Sequence, residues 1–117
     1  MIQHPDLAGG RWQTFSLLEQ LGNVGSEVSR AAKWQEKDPV LFDKAVVRAL
    51  ELLDLTIRDS RWRGRLKELT RVRELLCDTW LGGSQYGQKL QDLDRYFFQF
   101  ALAARNIRFV GKTAPSQ

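Results

Sequence analysis

Apolar residues recur along this chain at three- and four-residue steps in four successive blocks, the spacing that lines one face of an α-helix. Phe15, Leu18, Leu21, Val24, Val28 and Ala32 form the first stripe and predict a helix over residues 13–36. Ser16-Leu17-Leu18-Glu19 has the form of a capping box, so regular helix can begin as late as residue 16. Gly22, Gly25, Ser29 and Ala32 share another stripe of the same helix. Each glycine costs a helix about 1 kcal/mol against alanine. A stripe of small residues offsets that cost if a neighbouring backbone approaches closely. The spacing therefore predicts a continuous helix here, with a break at the glycines as the alternative.

Asp38-Pro39 starts the second helix, an N-cap residue followed by proline at the first helical position. The helix is expected over residues 39–58. Phe42, Ala45, Ala49, Leu52 and Thr56 make its seam, widened by Val46, Leu53 and Ile57. Val47 and Leu50 lie nearly opposite, so this helix is apolar over more than an ordinary core stripe. The third helix is expected over residues 61–81, capped by Asp59-Ser60, with Trp62, Leu66, Leu69, Val72, Leu76 and Trp80 on its apolar face. Gly82-Gly83 ends it. In the fourth, over residues 89–109, Leu90, Leu93, Phe97, Phe100, Ala104 and Ile107 repeat with heptad-like regularity. No segment alternates with period two. Four helices of roughly twenty residues, each about 30 Å long, joined by short connections, predict an all-α, antiparallel up-down-up-down four-helix bundle over residues 13–109. Residues 1–12 are expected to be a flexible lead-in and residues 110–117 a disordered tail.

The bulk composition is that of one soluble domain: 117 residues, 43% hydrophobic and 27% charged. No stretch approaches the ~20 apolar residues of a membrane span, and residues 1–10 lack the basic and apolar regions of a secretory signal. The single cysteine, Cys77, has no partner for an internal disulfide and reads as a small core residue. Together these predict a reducing, cytoplasmic setting.

Charge is where the sequence becomes specific. Residues 58–73 hold seven of the eighteen basic residues and two of the fourteen acids, a charge of +5 in a chain of net charge +4. On the helix projection Arg63, Lys67 and Arg71 share an outward face, continued by Glu74 and Asp78. Cations near the N-terminus and anions near the C-terminus oppose the helix dipole, at roughly 0.3–1 kcal/mol each. The face reads as a binding surface for RNA phosphates or an acidic protein, carried by Arg61, Arg63, Lys67 and Arg71, or else as a solvated face whose charges pair with a neighbouring helix. No aromatic residue interleaves on it, which argues against a base-stacking platform. Arg73 falls inside the apolar stripe and needs an acid; Glu27, Glu51 and Asp54 are candidates, and with Arg73 they could line an interhelical polar pocket.

Candidate catalytic constellations are sparse. Glu51-Leu52-Leu53-Asp54 has the ExxD spacing that MazG-type nucleotide pyrophosphatases use to hold magnesium, without the companion ExxE. Di-iron bundles need Glu-x-x-His motifs, and the only histidine is His4. No cofactor motif is present. A non-enzymatic interaction protein is the favoured reading; the alternatives are a small-molecule- or anion-binding or nucleotide-processing enzyme built on the interhelical pocket, and a purely structural oligomer subunit. Phe98, Leu102 and Phe109 add a second apolar facet to the fourth helix. With Val47 and Leu50 it predicts a homo-oligomer, by default a symmetric dimer.

The run from Gly25-Ser26-Glu27-Val28 to Asn106-Ile107-Arg108 resembles a family of small prokaryotic helical-bundle proteins with no assigned activity, which implies a stand-alone unit. Arg105-Asn106 is similar to the start of the Arg-x(4–6)-His motif of HEPN-type helical ribonucleases, but no histidine follows. That departure removes the catalytic pair the resemblance would imply.

Overall fold

Ser16 and Glu19 set the start of the first helix by exchanging hydrogen bonds. Glu19 N donates to Ser16 Oγ over 3.1 Å, and Ser16 N donates to Glu19 Oε1 over 2.9 Å. Two amides that a helix start leaves orphaned are thus satisfied. A computed structural model of the chain describes residues 10–82 and 90–113, with side chains to residue 106. Its helices are α1 (Leu17–Trp34), α2 (Pro39–Arg58), α3 (Leu66–Trp80) and α4 (Leu90–Thr113). Two 3-10 segments, Arg11–Thr14 and Ser60–Arg65, precede α1 and α3. Asp38 caps α2 as expected, its Oδ1 accepting from Val40 N and Leu41 N.

The architecture is the expected all-α, up-down-up-down bundle. Contacts across the helices fix the directions: Gly25 meets Phe97 while Gly22 meets Ala101, and Asp43 meets Trp80 while Asp54 meets Arg73. The central element is α1, which packs against both α2 and α4; α3 rests mainly on α2 and touches α4 only lightly. The core lies along α1, where Leu21, Val24 and Val28 meet Val46, Ala49 and Leu53 of α2 and Phe97 of α4, with Leu69 and Leu76 of α3 closing it.

α1 runs unbroken through its glycines, and the close approach expected of its small stripe is present. A Cβ built at Gly25 would stand 2.6 Å from Phe97 Cβ, and one at Gly22 would stand 3.1 Å from Ala101 Cα. The neighbouring helix occupies the space a side chain would need.

Three expectations change. Trp12, at the end of the expected lead-in, is completely buried and belongs to the first 3-10 turn; residues 1–9 lie outside the described residues. The third α-helix begins at Leu66, not Arg61, because Ser60–Arg65 winds as 3-10 helix and Trp62 leaves helical geometry at φ −107° and ψ 23°. That kink shifts the phase of the apolar face and leaves Leu66 partly exposed. The fourth helix continues to Thr113, past the expected end at residue 109. The last expected tail residues, 114–117, are outside the described residues, as is the side chain of Phe109.

Gly25→Ala is expected to destabilise the bundle by about 1–3 kcal/mol, overpacking outweighing the gain of about 1 kcal/mol in helix propensity. Gly64→Ala, with no atom within 4 Å of the added Cβ, is expected to stay within about 0.5 kcal/mol of the parent. Urea unfolding of the two variants measures both.

Candidate functional site

Gln20 sits in the apolar seam of α1 and is fully buried. A buried amide must find partners or lose the free energy of its hydrogen bonds to water. Its Nε2 donates to Trp12 O over 2.9 Å and to Asp59 Oδ2 over 3.2 Å, and its Oε1 accepts from Trp62 Nε1 over 2.9 Å. Trp12 Nε1 donates to Thr56 Oγ1 over 3.1 Å. These bonds tie the first 3-10 turn, α1, the end of α2 and the Ser60–Arg65 segment into one polar knot at one end of the bundle.

Asp59 is the acid of the knot and is almost wholly buried. It accepts from Arg61 N over 3.1 Å and from Arg61 Nη2 over 2.7 Å. Those bonds, opposed by desolvation and helped by Gln20, hold its carboxyl down at about 2. Arg61 also donates from Nη2 to Phe15 O over 2.8 Å, and its guanidinium stacks 4.4 Å from the Trp62 ring. The sequence placed Arg61 among the partner-binding residues. The structure uses it as a brace between the Phe15 carbonyl, just ahead of α1, and the Ser60–Arg65 segment, with 40% of its side chain still exposed.

Around this knot the segment projects cations. Arg63, Lys67 and Arg71 are all exposed, as the sequence predicted. Arg63 precedes the α-helix, so only Lys67 sits in its first turn against the dipole. Arg11 and Arg58 are also exposed, and the chain path brings both to this end. The sequence reading did not select them: Arg11 lay in the expected lead-in, and Arg58 counted only toward the charge of its stretch. Among the described residues, no carboxylate pairs with Arg11, Arg58, Arg63 or Lys67. The acids nearby in sequence are engaged: Asp59 with Arg61, and Glu68 with Arg65 at 2.6 Å. Glu68 Oε2 also accepts from Tyr96 O–H over 2.6 Å. That bond first, and Arg65 second, hold the Glu68 carboxyl below the usual range against desolvation, while burial first and Glu68 second push the Tyr96 hydroxyl upward.

The residues expected to line an interhelical polar pocket are Arg73, Asp54, Glu27 and Glu51. Arg73 does find Asp54, its Nε donating to Oδ1 over 2.6 Å, but this pair lies at the edge of α2 and α3 with Arg73 41% exposed. Arg73 Nη1 also reaches Cys77 Sγ at 3.6 Å. Glu27 belongs to α1, is buried, and pairs with Arg30 of its own helix at 2.9 Å; its Oε2 has no hydrogen-bond partner among the described residues. Glu51 is half-buried on α2. Among the described residues no group of three or more His, Cys, Asp or Glu is placed to hold a metal ion. Of the residues expected at an oligomer interface, Leu50 packs against the core and Val47 is half-buried, whereas Phe98 and Leu102 stand exposed.

No protein-family model, curated protein or solved structure matches the chain. Among the described residues, no helix is long and apolar enough to cross a membrane.

The depressed Asp59 carboxyl makes stability depend on pH. Its folded value, about 2, lies below the ordinary 3.8. Its contribution is therefore complete above about pH 4 and is lost as the pH falls through about 2; Glu68, shifted the same way, adds to the slope. Asp59→Asn is expected to cost about 2 kcal/mol at pH 7 and to flatten the acid limb. Urea midpoints of parent and variant between pH 2 and 7 measure both effects.

Proposed function

We propose that the chain is a non-enzymatic binding protein whose Ser60–Arg65 end grips the phosphate backbone of single-stranded RNA in a reducing, cytoplasmic setting. The observation that supports this reading is the imbalance at one end of the bundle. Among the described residues, Arg58, Arg63 and Lys67 are exposed with no acid paired to them, while Asp59 and Glu68 are occupied by Arg61 and Arg65. Cations held on a structured segment cost little further order on binding. Guanidinium groups also match phosphate oxygens with two parallel hydrogen bonds. Without an exposed aromatic among these cations, contact is to the backbone and carries little sequence preference.

The test is the affinity for a single-stranded RNA oligomer as a function of salt. Neutralisation of three or four phosphates gives a slope of log affinity against log salt of about −2 to −3. Arg63→Glu with Lys67→Glu is expected to lower affinity at least ~10-fold at low salt and to flatten the slope by about 1.4. A salt-independent affinity, or binding to an acidic polypeptide but not to RNA, contradicts the reading.

A further inference from the structure

Phe98 and Leu102 are exposed by 62% and 43% on the flank of α4, one helical turn apart on the same face. Asp94 and Arg105 lie on that face too, one before and one after the apolar pair. Among the described residues neither is in an ion pair, although Asp92 and Arg95, on the next face of the helix, pair with each other at 2.6 Å. The order acid, Phe98, Leu102, base is self-complementary when read in opposite directions.

We infer that this face of α4 is the interface of a two-fold dimer, with a second copy of this chain as the occupant. An antiparallel pairing of α4 with α4 about an axis near Phe100 sets Phe98 against Leu102 of the second copy. The same pairing brings Asp94 within reach of the second copy's Arg105, and the reverse. Asp94 and Arg105 fall on one edge of the stripe, so the dyad brings opposite charges together twice. Arg95 falls on the other edge, away from Arg105 of the second copy. Beside Phe98, a groove of about 320 Å³ lined by Gly22, Gly25, Ser26 and Ser29 gives the incoming side chains room against α1. Because the bundle axes then oppose each other, the two Ser60–Arg65 ends sit at opposite poles of the dimer. The inference stands on α4 alone and does not depend on RNA binding.

Sedimentation of the full chain over a range of concentrations tests it. The parent is expected at about 27 kDa, twice the 13.5 kDa chain. Phe98→Ser, at an exposed position, is expected to raise the dissociation constant at least ~10-fold with helical content unchanged by circular dichroism. Asp94→Arg is expected to weaken the dimer, and Asp94→Arg combined with Arg105→Asp to restore it. A parent that stays monomeric at high micromolar concentration overturns the inference, and in that case the face is covered by the chain's own ends or left bare. A dimer that Phe98→Ser leaves intact, or that the double charge exchange fails to restore, overturns it equally.

Discussion

The Gln20 amide, buried between Trp12, Asp59 and Trp62, is the constraint on which this end of the molecule depends. A polar side chain in an apolar seam is stable only when its partners are held in place, and here the partners come from three different segments. Satisfying Gln20 fixes Trp12 under the helix ends and Trp62 against α1. It also fixes Asp59 where it can cap and neutralise Arg61. A network of this kind rigidifies when complete and is costly when any member is lost. It also explains why Ser60–Arg65 does not simply extend the third helix. The Trp62 indole must reach Gln20 and the Arg61 guanidinium must reach both Asp59 and Phe15 O, and the chain accommodates these bonds by winding as 3-10 helix.

The rest of the fold is organised around close approach. α1 carries glycines where α4 crosses it, so Phe97 and the Ala101 backbone press directly onto the α1 backbone. α2 then covers the opposite side with a broad apolar face. α3 is held through α2, by the Arg73–Asp54 pair and the Trp80–Asp43 hydrogen bond at its edges as well as by Leu69 and Leu76. The consequence for function is a division of surfaces. The polar knot holds an end rich in exposed cations, while the flank of α4 presents an apolar pair bracketed by opposite charges.

Much of this was legible in the residues. Ser16 with Glu19, and Asp38 with Pro39, announce helix starts by local chemistry that needs no tertiary partner, and the structure starts its helices there. The 3-4 spacing of Leu90, Leu93, Phe97 and Ala104 marks the buried face of α4 for the same reason. The third helix was misjudged at its start because Trp62, Leu66 and Leu69 keep helical spacing although the backbone there does not. The deciding partner, Gln20, lies far away in the chain. Trp12 was read as lead-in because its burial depends on Thr56. A lone tryptophan ahead of a capping box, and a glutamine on a seam of leucines and valines, were the available signals. Of the candidate site residues, the outward trio could be placed by projection alone. The structural use of Arg61 could not, since it follows from a buried aspartate whose burial the sequence does not announce.

The central claim is that the Asp59 knot holds the cationic segment in a binding-competent form, so shape matters as well as net charge. The affinity of Asp59→Asn for single-stranded RNA, measured at pH 7 and fixed salt where the variant remains folded, separates the two. Removing the acid raises the net charge above the parent's +4, so charge alone favours tighter binding. The account predicts weaker binding, because Ser60–Arg65 loses its brace and must be ordered by the ligand. Binding tighter than the parent's would contradict it.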